Sequence, residues 1–190
     1  MDNTDLINCV WNRIDGVYIP EEFEKMKEWT TSAQKAIGID PGLANTGYAI
    51  VTRNKRGQFR ILESGCITTD KTVATSKRML EIYTGISDLL HEHAPDLLSV
   101  EQVFWNRNIT SAMSTAAVMH VCMLAAEQVG IISRQVTPQQ VKAACGCGGK
   151  ASKAAVKVFV SKLTGETLTN AHTADAVACA IAGLLRVKKM

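Results

Sequence analysis

Short apolar runs alternate along the chain with amphipathic stretches, and the runs stop at charges and turn residues. Lys35 to Asp40 reads KAIGID, a buried strand that ends on a carboxylate. Gly47 to Arg53 and Phe59 to Thr68 read as two more strands, joined as a hairpin by the turn residues NKRG at 54–57. From Lys77 to His93 the apolar positions Met79, Leu80, Ile82, Tyr83, Ile86, Leu89 and Leu90 keep a helical period. Past Pro95, Leu97 to Glu101 (LLSVE) is a short apolar strand that again closes on a carboxylate. An Ala/Met-rich helix is predicted from Thr110 to Gln128, stopped by Gly130, and Ile131 to Val136 is a further strand. Thr137, Pro138 and Gln140 then supply a cap, a first-position proline and a capping-box partner for the next helix. After a break at CGCGGK (145–150), Ser152 to Leu163 and Ala171 to Val187 are helical, the second capped by Asn170. The succession predicts an α/β fold, a mixed central β-sheet flanked by helices.

Composition narrows this. A chain of 190 residues, 46% apolar with a mean hydropathy of +0.03, fits one globular body with a sizeable core. Ala112 to Ala126 is interrupted by Ser114, Thr115 and His120, and Ala174 to Leu185 by Asp175, so neither reads as a membrane span. The N-terminus has early acids and no basic segment ahead of an apolar one, so no signal peptide is expected. The six cysteines (9, 66, 122, 145, 147 and 179) fall mostly inside predicted elements and read as reduced core residues of a cytoplasmic protein. Cys145 and Cys147 lack a second pair at ligand spacing, which argues against a metal role.

Charge is uneven. Residues 1–34 hold seven acids and three bases, whereas residues 35–190 hold 18 bases and 11 acids. A basic body suits a polyanion partner, although a solvated surface accounts for it equally well. The lead also carries Trp11, Tyr18, Phe23 and Trp29, too aromatic for a featureless tail, so part of it is expected to dock. The expected division is an acidic N-terminal extension, 1–34, and a body, 35–190.

Three acids fall at informative places. Asp40 and Glu101 end strands, and Asp175 lies near the start of the last helix, with His172 one turn before it. Taken singly, each has an ordinary structural explanation as a turn former, a surface acid or a helix-start residue. Strand-end residues of α/β sheets nevertheless gather in one crevice, where like charges need neutralising. Divalent metal answers that need, and hard cations held by carboxylates suit phosphodiester hydrolysis.

The segments GIDPGLANTGYAIV, SVEQVFW and AHTADAVACAIAG resemble the three catalytic segments of the RuvC family of Holliday-junction resolvases, which have an RNase H-like fold. Residues 137–156, TPQQVKAACGCGGKASKAAV, resemble its basic loop and helix. The likeness runs from about Ala36 to Leu185. It implies a homodimeric endonuclease that nicks two opposing strands of a four-way DNA junction, leaving 5′-phosphate and 3′-hydroxyl ends. It also implies two Mg²⁺ per active site, with Mn²⁺ able to substitute. Asp40 would be the bridging ligand and Glu101 and Asp175 further ligands. His172 stands where relatives carry aspartate or histidine.

Phe104 resembles the family's junction wedge, followed by Arg107. Lys142, Lys150, Lys153 and Lys157 suit DNA phosphates. The helix at 110–128, with its small alanines and adaptable methionines such as Met119, would form the dimer interface. No membrane partner is expected, and the compartment would be the cytoplasm of a bacterial cell or of a phage-infected host. The alternatives are a catalytically silent junction-binding protein and an actin-like phosphotransferase, for which the chain is short of two full domains.

Overall fold

The computed structural model describes residues 11–14, 17–20, 34–103, 109–146 and 151–185. By backbone contacts the chain divides into two compact units, Met1–Ser32 and Ala33–Met190. In the first, β1 (Trp11–Ile14) and β2 (Val17–Pro20) form an antiparallel pair with Trp11 opposite Pro20. The sequence reading has no element there. Of the four lead aromatics, Phe23 and Trp29 lie outside the described residues.

The second unit is built on a five-stranded sheet in the order β5-β4-β3-β6-β7. Its strands are β3 (Lys35–Asp40), β4 (Asn45–Arg53), β5 (Phe59–Thr68), β6 (Leu97–Glu101) and β7 (Ile132–Val136). β3, β4 and β5 form an antiparallel meander, and β6 and β7 run parallel to β3. β4 begins two residues before the predicted Gly47 because Asn45 and Thr46 pair with Thr68 and Ile67 of β5. The partner strand, not the local pattern, sets that end.

The described helices are α1 (Thr75–His93), α2 (Ile109–Gln128), α3 (Pro138–Ala144), α4 (Lys153–Thr164) and α5 (Ala171–Leu185). α1 starts at Thr75, ahead of its predicted Lys77, and the side chain of Ala74 before it makes no capping hydrogen bond, so no cap signal marks its beginning. α3 carries the predicted capping box: the Gln140 amide donates to Thr137 Oγ1 at 3.1 Å, and the Thr137 amide to Gln140 Oε1 at 2.9 Å.

Both sheet faces are covered, which is why β3 reads as an unbroken apolar run. Ile37, Ile39, Ile50, Leu98 and Val100 face α1 and α2, burying Ile82, Ile86, Val118, Met119 and Cys122. Ala36, Ala49, Val51 and Leu97 face α3, α4 and α5. By length and composition α2 is apolar enough to cross a membrane. Here five of its residues, Val118, Met119, Cys122, Ala125 and Ala126, sit in the core under the sheet. Among the described residues, Cys122, Cys145 and Cys179 are buried thiols outside any disulfide, and Cys66 is half-buried.

α5 lies almost on the backbone of the sheet. A Cβ on Gly38 would stand 2.0 Å from the Ala176 carbonyl oxygen, and one on Gly47 would stand 2.4 Å from that of His172. No side chain fits either place, and this close approach carries the start of α5 to the end of β3.

Candidate metal and nucleic-acid site

Pairing of β3 with β6 reaches Ile39 opposite Val100, so Asp40 and Glu101 are the next residues of two adjacent parallel strands. They stand at the C-terminal ends, beside the point where β3 has an antiparallel neighbour on one flank and a parallel one on the other. Past Asp40 the chain turns away, and the Thr46 hydroxyl holds that turn by donating to the Gly42 carbonyl at 2.8 Å. Asn170 caps α5 by accepting from the His172 amide at 2.8 Å. That places the His172 ring over β3, where Nδ1 meets Asp40 Oδ2 at 2.7 Å. One turn later Asp175 Oδ2 accepts from Lys153 Nζ at 2.6 Å.

The electrostatics are those of crowded carboxylates short of positive charge. Burial raises the Asp40 carboxyl above its ordinary range, and Asp175 adds to this, while the hydrogen bond from His172 opposes it. Glu101 is pushed up to about 7, first by burial and then by Asp40 and Asp175, with Lys153 and Lys142 acting the other way. The hydrogen bond to Asp175 raises the Lys153 ammonium in turn. Glu101, Asp175, Lys142 and Lys153 line one cleft of about 370 Å³, and Asp40 and Glu101 line the next opening along. Three carboxylates and an imidazole, two of the carboxyls held toward neutrality by burial and by neighbouring acids, form a donor set that fits a hard divalent cation.

The Glu101 shift has a measurable sign. A folded value above the ordinary 4.5 means that the folded chain holds this proton more tightly than the unfolded one. Its contribution is therefore most favourable below pH 4.5, is lost as the pH rises towards 7, and stays lost above. In chelator at pH 8, Glu101→Gln is expected to be more stable than the wild type by up to roughly 3 kcal/mol, with the difference vanishing near pH 4. Denaturant melts at the two pH values check it; equal stability at pH 8 would mean the carboxylate is not penalised.

Other predicted site residues fare differently. Lys157 Nζ donates to the Thr169 carbonyl at 2.8 Å, so it braces the loop before α5. Phe104, Trp105, Arg107 and Lys150 lie outside the described residues. Among the described residues, the three ligand-type side chains drawn within 4.8 Å of one another are Glu63, Glu92 and His93. They stand away from Asp40, and Glu63 is already bonded to His93 at 2.8 Å and to the Tyr48 hydroxyl at 2.9 Å, both of which hold its carboxyl below the ordinary range.

Sequence reasoning missed Arg78. It is buried on the core-facing stripe of α1, in step with Ile82, Ile86 and Leu89. A basic residue on an otherwise apolar stripe was the available signal.

A meander continued by two parallel strands, helices on both faces and acids at adjacent strand ends define an RNase H-like α/β domain of the nuclease type. The family model described as crossover junction endodeoxyribonuclease RuvC matches residues 36–183, and the chain belongs to this family. It is 36% identical over 152 residues to the crossover junction endodeoxyribonuclease RuvC of Syntrophomonas wolfei, covering 79% of this chain and 88% of that protein. With the Treponema denticola protein of the same name it shares 35% over 147 residues, 76% of this chain and 82% of the relative. Thermus thermophilus RuvC superposes with a TM-score of 0.74 at 27% identity, covering 80% of this chain and 95% of that one. The same protein in complex with a Holliday junction substrate gives 0.72 at 25% identity.

Proposed function

We propose that this protein is a structure-selective endonuclease that resolves four-way DNA junctions by paired, symmetrical nicks on opposing strands, leaving 5′-phosphate and 3′-hydroxyl ends. The observation that carries the reading is the meeting of Asp40 and Glu101 on adjacent parallel strands with His172 and Asp175 of α5, inside the segment that matches the RuvC family. Asp40, Glu101, Asp175 and His172 would hold two Mg²⁺ ions, with Mn²⁺ able to substitute. Bound there, the cations would supply Lewis acidity at the scissile phosphate and a nucleophile at neutral pH.

The chain's own groups do the rest. His172 fixes one Asp40 oxygen through Nδ1, which orients that carboxylate. Lys153, ion-paired to Asp175, stands as a resident counter-charge that is free to turn to a DNA phosphate once cations neutralise the acids. Lys142 and Lys153, which line the cleft, would track the backbone of the cut strand, and Lys150 and Lys157 would add positive charge for it. Phe104 would serve as the wedge at the junction centre, and Arg107 would contact the DNA.

Two active sites are needed for two nicks. The exposed side of α2, with Ile109, Met113, Ala117, His120 and Leu124 in one stripe, would pair with its copy in a homodimer. Like the bacterial relatives, the protein would act in the cytoplasm, where the chromosome lies.

A labelled four-way junction incubated with Mg²⁺ tests the reading. Paired nicks at symmetrical positions are expected; tight binding without nicks would instead make this a silent junction binder. His172 provides a finer check. An imidazole is a softer ligand than a carboxylate, so Mn²⁺ should support cutting at lower concentration than Mg²⁺. His172→Asp should stay active and shift preference toward Mg²⁺, whereas His172→Ala should need about tenfold more of either metal. Metal titrations of cleavage decide: an unchanged Ala variant removes His172 from the site.

A further inference from the structure

Arg78 is a charge with half a partner. Only 8% of it is exposed. Its Nε donates to Thr69 Oγ1 at 2.8 Å, and the Thr69 hydroxyl in turn donates to the Leu43 carbonyl at 2.6 Å, which anchors the guanidinium to the turn after β3. Among the described residues its terminal nitrogens have no hydrogen-bond acceptor. The carboxylate that feels its charge, Asp70, is fully exposed and turned to its own backbone at Thr72. The terminal nitrogens are not among the buried unpartnered atoms, so they reach solvent, and an anion that displaces water there would gain a charge-assisted pair with a guanidinium already fixed in place.

The guanidinium opens on a cleft of about 500 Å³, walled also by Gly42, Asn45, Thr110, Thr115 and His172. Among the described residues, no carboxylate lines it. Asn45 Oδ1 accepts from the Thr68 hydroxyl at 3.1 Å, so its amide NH₂ remains available as a donor. The first turn of α2 borders the opening and adds the positive end of a helix dipole. His172 is shared: its Nδ1 holds Asp40 while its ring closes the near end of this cleft. The cleft therefore starts where the acidic site stops, with the opposite sign of charge.

We propose that this cleft is a phosphate subsite that seats the phosphodiester next to the one being cut, on the same strand. The Arg78 terminal nitrogens and the Asn45 amide donate to its oxygens, in the paired geometry that suits guanidinium and phosphate. The seat holds the strand in register, so that the neighbouring phosphate falls at Asp40 and Glu101. The proposal rests on the nuclease reading of the adjacent site.

The test is junction binding in chelator, with a single neutral methylphosphonate walked along the linkages on either side of the cleavage point. The wild type, Arg78→Met and Asn45→Asp are compared. Asn45→Asp keeps the Thr68 hydrogen bond and places an anion in the cleft, which guards against Arg78→Met failing to fold. For the wild type, one linkage adjacent to the cut should cost about tenfold in affinity and lower the salt dependence by about one ion. Arg78→Met should lose the same factor on the unmodified junction and nothing more when that linkage is neutral. Asn45→Asp should bind the unmodified junction more weakly and recover when that linkage is neutral. A wild type indifferent to every flanking linkage, or losses that simply add, would overturn the subsite. Failure of the wild type to bind any junction would instead remove the nuclease reading and the subsite with it.

Discussion

Asp40→Asn is expected to slow junction cleavage at least about a thousandfold while leaving junction affinity within about threefold of the wild type. Metal-assisted charge stabilisation is worth several kcal/mol of the barrier, and a loss of about 4 kcal/mol is roughly a thousandfold in rate. On the proposed reading binding would rest instead on lysines, Arg78 and junction shape, which the substitution leaves in place. The variant should fold. The native carboxyl already sits above its ordinary range because burial disfavours its charge, so a neutral amide of the same shape removes a cost. His172 Nδ1 can accept from the new amide as readily as it can donate to a carboxylate, since the ring adopts either tautomer. Single-turnover cleavage and a parallel binding titration give the two numbers. Near-wild-type cutting would show that Asp40 does not hold the catalytic cation.

Leu124→Asp is expected to turn a dimer into a folded monomer, and Met119→Asp to unfold the chain. Both residues lie on α2, five positions apart, but on different faces. Met119 is 5% exposed and packs with Val118, Cys122 and the strands above, so the position that the sequence offered as a probe of the interface belongs to the subunit's own core. Leu124 is 55% exposed and Met113 58% exposed, and with Ala117 and His120 they follow one another by four, three and four residues along a single stripe. An unpaired charge buried at a dimer seam costs about 3–5 kcal/mol, at least a hundredfold in the dissociation constant. The same charge facing solvent in a monomer costs almost nothing. Sedimentation with circular dichroism separates the cases, and cleavage by the monomer should yield unpaired nicks. A Leu124→Asp protein that remains dimeric would move the interface elsewhere.

How much of this was legible beforehand follows the range of the forces involved. The ends of β3 and β6, the capping box at Thr137 and the Asn170 cap of α5 depend on residues within a few positions, and the sequence alone placed them. Because Asp40 and Glu101 both close apolar strands, their meeting at one sheet edge could also be expected before any coordinates. The partners of these groups could not. His172 reaches Asp40 across 132 residues of chain, and the pairing of Lys153 with Asp175 spans 22.

α2 is apolar on nearly every side, so its period does not say which face turns inward; only the packing of α1 and the sheet against it separates Met119 from Leu124. The burial of Arg78, the extension of β4 to Asn45 and the contact of α5 with the backbone at Gly38 and Gly47 were likewise decided by tertiary structure. Capping, helical period and turn chemistry act between neighbours in sequence. Burial, ion pairing and close approach act between neighbours in space, and those exist only once the sheet and its two helical layers have come together.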